Sequence, residues 1–269
     1  MTRVIAVANQ KGGVGKTTTT VNVAAALADA GHSVLVVDLD PQGNATQALG
    51  LERGNSSNSS YAVLLDGVDL RTAATPTNHA GVACIPASVD LAGAEVELVA
   101  EPGRERRMLL AIEEEPDEQL AAYDFILMDC PPSLGLLTLN ALVAAHELFV
   151  PIQAEFYALD GVAQLITTLE LVRTALNPAL EISMVVLTMV GVGESGPLNY
   201  QRFVIDEARA YFGERLANTV IPRDSAISAA PSVGQTVIAF DPTSAGALAY
   251  KRLAAELATH QSAQKAVKV

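Results

Sequence analysis

The chain has 269 residues, half of them apolar, which is enough for one large domain with a real core and too apolar for a disordered chain. No apolar run reaches the roughly 18 residues that span a bilayer, and the N-terminus opens directly into an apolar strand rather than a secretion signal, so a cytoplasmic protein without membrane attachment is expected. The net charge of −13, with only five lysines against twelve arginines, excludes a broadly basic nucleic-acid surface, so any such contact must be confined to a patch.

Val4–Ala8 is a short apolar run of the kind that forms a buried parallel strand. It leads into Gln10-Lys11-Gly12-Gly13-Val14-Gly15-Lys16-Thr17-Thr18, which meets the phosphate-loop pattern except at its leading glycine. Glycines let backbone N–H groups close around phosphate oxygens without a Cβ in the way. Lys16 is the expected ligand of the β- and γ-phosphates, and the Thr17 hydroxyl that of Mg²⁺. Residues Thr18 to Ala30 are helical in composition, with Gly31 as the stop, so the helix directs its positive end at the same phosphates. A strand before the loop and a helix after it is the context that makes such a loop chemically meaningful. Lys11 is an additional lysine at the start of the loop; read alone, a solvated loop residue is the lesser alternative.

Val34–Val37 is expected to be a second strand, running into Asp38-Leu39-Asp40-Pro41-Gln42-Gly43-Asn44. Carboxylates at the C-terminal end of a parallel strand lie on the ligand side of the sheet. From the residues alone, Asp38 and Asp40 are either ligand carboxylates or a cap and a turn. The polar stretch around residues 54 to 60 is expected to be a surface loop, followed by a short helix over Tyr61 to Leu70. Val82–Pro86 is expected as a strand and Arg104 to Ile112 as a helix, followed by a solvated acidic run from Glu113 to Glu118. Phe125–Met128 is a buried strand that delivers Asp129 to the phosphate site, where its usual work is to hold Mg²⁺ through water together with Thr17. Cys84 and Cys130 lack zinc-like spacing and are read as reduced and buried. Leu148–Ile152 and Ile182–Met189 are further strands, with a helix between them from about Val162 to Leu176. Helices are expected over Tyr200 to Phe212 and Ala245 to Ala258, then a short polar tail over residues 259–269. Apolar strands alternating with helices predict an α/β phosphate-loop NTPase fold: one domain over residues 1–258, with a mostly parallel twisted sheet and helices on both faces.

Several segments together resemble the ParA/Soj family of partitioning ATPases. They are Lys11-Gly12-Gly13-Val14-Gly15-Lys16-Thr17-Thr18, Asp38 to Asn44, Asp129-Cys130-Pro131-Pro132-Ser133-Leu134-Gly135, Gln153 to Gly161, and Ile221-Pro222-Arg223-Asp224. The resemblance implies slow, partner-stimulated ATP hydrolysis with Mg²⁺, coupled to formation of a homodimer that sandwiches two ATP molecules. It implies that Lys11 reaches the partner's nucleotide, that Asp40 positions the attacking water, and that Asp38 contributes to the Mg²⁺ shell with Thr17 and Asp129. Nucleotide contacts are implied at Lys11, Gly12, Gly13, Val14, Gly15, Lys16, Thr17 and Thr18, with adenine near Pro222 and Asp224. The implied partners are a ParB-like activator and non-specific DNA of the nucleoid. The chain departs from the family at two DNA-linked positions: Met189 to Gly196 contains no Arg, and Ala226 stands where a basic residue is usual. Asp224 replaces an Asn, which removes an amide donor. A positioning or regulatory ATPase for a non-chromosomal cargo is therefore a second expectation. Arg202, Arg209, Arg215, Arg223, Lys251 and Arg252 are the candidates for any DNA patch.

Overall fold

The computed structural model describes residues 2–55, 57–155, 160–193, 196–197 and 199–260. In chain order the first half comprises β1 (Arg3–Val7), α1 (Lys16–Asp29), β2 (Val34–Asp38), α2 (Asn44–Ala48), α3 (Leu70–Ala73), β3 (Thr75–Pro76), β4 (Val82–Ile85), α4 (Leu91–Leu98), α5 (Arg107–Glu113), α6 (Asp117–Leu120) and β5 (Phe125–Asp129). The second half comprises α7 (Leu136–Ala144), β6 (Glu147–Gln153), α8 (Asp160–Ala175), β7 (Glu181–Thr188), β8 (Val192–Gly193), β9 (Gly196–Pro197), α9 (Asn199–Phe212), α10 (Ser225–Ala229), α11 (Val237–Phe240) and α12 (Ala245–Thr259).

The main sheet has the order β3-β4-β2-β5-β1-β6-β7, parallel throughout except for β3, which pairs antiparallel with β4 at the edge. Because strand side chains alternate, successive residues of β1 feed opposite cores. Val4 and Ala6 join a core with α4, α5, α7 and α8, whereas Ile5 and Val7 join one with α1 and α12. Both sheet faces are thus covered, which explains why the strands read as unbroken apolar runs rather than alternating ones. Helix α1 is buried along most of its length, from Thr19 to Leu27, between the sheet and α12.

The far end of the sheet is closed by charge. Arg3 donates Nε and Nη2 to the two carboxylate oxygens of Glu147 at 2.8 and 2.7 Å, and Nη1 to the Leu257 carbonyl at 2.6 Å. Its guanidinium also lies 5.2 Å from the Phe125 ring centroid. Glu147 is buried, so the bidentate pairing is what makes its charge tolerable there.

Three local expectations change. The acidic run from Glu113 to Glu118 is not wholly solvated: Glu115 is buried and accepts Leu70 N–H at 3.1 Å, and Asp117 opens α6. The segment from Tyr61 to Leu70 is not one helix but a π-turn, Ala62–Asp66, ended by Gly67 at φ 69°, and then α3. Arg107 donates to the carbonyls of Leu64 and Leu65, drawing them out of an α-helical ladder. Helix α5 starts at Arg107 rather than Arg104, after a turn in which Arg106 N–H bonds the carbonyl of Gly103 at φ 64°. Among the described residues no helix is long and apolar enough to cross a membrane. Of the stretches read above, residues 156–159 and 194–195 and the tail beyond 260 lie outside the described residues.

Candidate functional site

The C-terminal ends of β1, β2 and β5 converge on the loop between β1 and α1. That loop turns through Gly13 at φ 75° and Gly15 at φ 88°, left-handed conformations that a side chain would strain. Gly15 is the N-cap of α1, and neither a capping side chain nor an acidic residue occupies the first turn. The first N–H groups of α1 therefore lack the acceptor that a helix start normally finds, and they face an anion site. A cavity of about 470 Å³ opens here, lined by Gly12, Gly13, Lys16, Thr17, Asp40 and Pro132, among others.

Lys16 is only 6% exposed, and its Nζ is 3.4 Å from the carbonyl of Lys11. Burial lowers its pKa, opposed by Asp129, Cys130 and Asp40. It is thus a partly desolvated cation at the head of α1, a strong attractor for phosphate.

Asp38 and Asp129 are register partners on adjacent parallel strands, and both are fully buried. Burial pushes both carboxyls up; the Asp38 charge raises Asp129 further, and Asp40 acts on both. Their hydrogen bonding differs. Asp38 Oδ1 accepts Asp40 N–H at 3.2 Å, and its Oδ2 accepts both the N–H and the hydroxyl of Thr46, at 2.8 and 2.6 Å. Asp129 Oδ1 accepts the Thr20 hydroxyl at 3.1 Å, the nearby Thr17 hydroxyl also favours its charged form, and its Oδ2 is buried without a hydrogen-bond partner. A buried carboxylate oxygen left open beside the Thr17 and Thr20 hydroxyls suits a hydrated divalent cation held against phosphates. Among the described residues no group of three or more His, Cys, Asp or Glu could hold a metal unaided, so the ligand must complete such a shell. Both oxygens of Asp38 are engaged within the protein; it anchors the start of α2 and the Asp40 turn.

Asp40 sits in that turn, 7% exposed, with Oδ1 accepting Gln42 N–H at 2.9 Å and its carbonyl accepting Gly43 N–H at 2.8 Å. Arg53 closes the turn from outside by donating to the Gln42 carbonyl at 2.6 Å. Asp40 lines the cavity and is placed to orient a small polar molecule there.

A second cavity, about 620 Å³, shares Gly15, Thr18, Met189 and Pro231 with the first and adds Pro222, Arg223, Asp224, Ile227 and Tyr250. Asp224 caps α10 through Ala226 N–H at 2.9 Å and holds Gly246 N–H, at the start of α12, at 2.8 Å. Each of its oxygens already carries one backbone donor. Met189 has φ 56°, the one non-glycine residue with positive φ among those described, and lies between the two cavities. Backbone strain of this sort gathers at ligand sites.

Several contributors are not evident from the sequence. Asn9 bonds Lys11 N–H through Oδ1 at 3.0 Å and the Pro151 carbonyl through Nδ2 at 2.8 Å. Thr188 donates to the Val14 carbonyl at 2.8 Å, tying β7 to the phosphate loop. Lys11 Nζ lies 3.2 Å from Glu155 Oε2. The only available signal was position: each of these residues follows or ends a strand on the ligand side. Cys84 and Cys130 are both fully buried, with thiol pKa values pushed up by burial.

The sequence profile of a family described as an AAA domain matches residues 2–182. The chain is 46% identical over 260 residues to the sporulation initiation inhibitor protein Soj of Bacillus subtilis, covering 97% of this chain and all of that protein. It is 49% identical over 257 residues to the chromosome-partitioning ATPase Soj of Thermus thermophilus, covering 95% of each. A solved structure described as cobyrinic acid a,c-diamide synthase from Mycobacterium smegmatis, with a bound ATP analogue and magnesium, superposes with a TM-score of 0.83. It is 37% identical, covering 97% of this chain and 95% of that one.

Proposed function

The chain belongs to the Soj/ParA family of chromosome-partitioning ATPases, and from that premise we propose that it is a Mg²⁺-dependent ATP hydrolase whose ATP form pairs with a second copy and acts in DNA partitioning with a ParB-like activator. One observation carries this reading: buried Lys16, the loop glycines, Thr17 and the Asp40 turn line one cavity at the head of α1, and Asp129, with its open oxygen, bonds Thr20 of that same helix. Lys16 and the loop amides bind the β- and γ-phosphates. Thr17 and Asp129 are the residues that would hold magnesium, which when bound supplies positive charge to the phosphoryl oxygens. Asp40 orients the water that attacks, and its turn is held in place by Asp38. Lys11 stabilises charge on the partner's phosphoryl group. Pro222, Met189 and Tyr250 form the wall on which the base rests.

A second reading, a positioning ATPase with weak DNA contact, is favoured by the state of the basic side chains. Arg209 bonds Asn218, Arg223 bonds the Met189 carbonyl, and Lys251 is 3.7 Å from Asp29. One experiment separates the two: binding to random-sequence duplex DNA with ATP, with ADP and without nucleotide, across a salt series. ATP-dependent binding with a steep salt slope supports the partitioning reading. No binding at any salt, by protein shown by light scattering to dimerise with ATP, supports the other. Protein that neither dimerises with ATP nor hydrolyses it would overturn both.

A further inference from the structure

Lys11 is fixed within its own protomer at three points. Its N–H is held by Asn9, whose amide is itself held by the Pro151 carbonyl of β6. Its carbonyl faces Lys16 Nζ. Its ammonium is 3.2 Å from Glu155 Oε2, in the turn that follows β6. Glu155 is not a loose surface acid. Its Oε1 accepts from the Gln153 side-chain amide, and its N–H bonds the Gln153 carbonyl at 2.8 Å. The turn in turn is anchored on β7 through Ala154 N–H to the Thr188 carbonyl at 3.0 Å. The end of β6 thus grips both the backbone and the side chain of Lys11.

We infer that Glu155 is a positioning residue that stores Lys11 in cis, so that pairing of two ATP-bound copies requires Lys11 to leave Glu155 before it can serve the partner's nucleotide. This rests on the trans role of Lys11 proposed above. A lysine already neutralised by a carboxylate of its own chain is a poor ligand for a second chain's phosphates. The competition therefore raises the concentration at which two copies assemble. The pair is 40% and 45% exposed, so it is a weak and reversible hold rather than a buried lock. Gln153, by orienting the carboxylate, tightens the hold without adding charge.

The test uses full-length protein carrying Asp40→Ala, so that hydrolysis does not drain the ATP state. Glu155→Gln and, separately, Gln153→Ala are added. Without nucleotide, amine-directed labelling read by mass spectrometry reports how accessible Lys11 is, with Lys251 as the internal reference. With ATP, light scattering gives the concentration for half-assembly. Expected are faster labelling of Lys11 in both variants and a half-assembly concentration lower by about two- to fivefold for Glu155→Gln, the range of an exposed ion pair. Gln153→Ala should shift assembly in the same direction by less. Because that variant keeps the charge of Glu155, a shift there cannot come from net charge alone. Unchanged labelling would overturn the inference. So would faster labelling with an unchanged or raised half-assembly concentration, which would make Glu155 an ordinary turn residue or a contact between copies. If the parent Asp40→Ala protein fails to assemble with ATP, the proposed function fails first, in a control that contains no change at Glu155.

Discussion

Asp38 and Asp129 stand side by side at the ends of neighbouring strands, one carboxylate fully hydrogen-bonded and the other with an open oxygen. The same residue type, equally buried, has both oxygens engaged within the protein in one case and one oxygen left open in the other. The hydrogen bonds, not the burial, separate the two.

Asp129→Asn is expected to stabilise the nucleotide-free protein while removing Mg²⁺-dependent hydrolysis. The folded pKa of Asp129 is raised by burial and by Asp38, so the folded state binds a proton more readily than the unfolded chain. Stability from this group is present at low pH and is lost as pH rises from the ordinary carboxylate range through the raised pKa. The wild-type melting temperature should therefore fall with rising pH more steeply than that of the variant. Each 1 kcal/mol recovered is worth about 2–4 °C for a chain of this size. Thermal melts across pH, with and without MgATP, check both halves.

Asp38→Ala should leave the phosphate loop intact yet slow turnover. It removes the acceptor for Thr46 and for Asp40 N–H, at a cost of about 1–3 kcal/mol for the groups left unsatisfied. ATP affinity should change little and the hydrolysis rate should drop by at least about tenfold, the consequence of displacing the Asp40 turn. Denaturant titration and single-turnover kinetics on one preparation decide it; a large loss of affinity instead would make Asp38 a direct ligand.

Lys16→Ala should abolish ATP binding in calorimetry, and retained micromolar affinity would remove the phosphate-loop assignment. Asp40→Ala should keep binding and accumulate the ATP dimer on size exclusion. Turnover at the wild-type rate would mean another group orients the water.

Asp224→Ala should cost about 1–2 kcal/mol through loss of the α10 cap, with a further loss from Gly246 N–H at the start of α12. ATP affinity should fall far less than in Lys16→Ala. An equal fall in affinity would assign Asp224 to the base directly.

Arg3→Met is expected to be the most destabilising of these substitutions although it lies far from the site. It removes the bidentate partner of the buried Glu147 carboxylate, and breaking one side of such a pair costs about 3–5 kcal/mol. Denaturant unfolding should show the loss, while ATP affinity of the folded fraction stays near wild type.

The parallel sheet and the phosphate loop were legible because they are local. Val4–Ala8 and Phe125–Met128 are continuous apolar runs, and Gly12 to Thr18 is a contiguous stretch whose chemistry is set by spacing. What sequence reading missed depends on contacts between distant positions. Lys11 and Glu155 are 144 residues apart, and Thr188 meets Val14 across 174. The π-turn at Ala62–Asp66 was unreadable because Arg107, more than 40 residues later, supplies its donors. Asp38 looked like a ligand because a strand-end Asp on the ligand side has two available uses. Thr46, whose N–H and hydroxyl occupy one oxygen of Asp38, lies in a helix of only five residues with no strong periodicity of its own.

The hydrogen bond from Arg3 to the Leu257 carbonyl also holds the start of β1 against the last turns of α12. β1 begins where α12 finishes, so a short flexible linker from His260 back to Thr2 would span little distance. The polar loop near Asn55 to Asn58, on the surface and away from the cavities, offers a place to open new ends. A circularly permuted form of this protein is therefore within reach. It would free the region around Arg3 from a terminus and let a reporter be carried at the new ends, away from the nucleotide cradle.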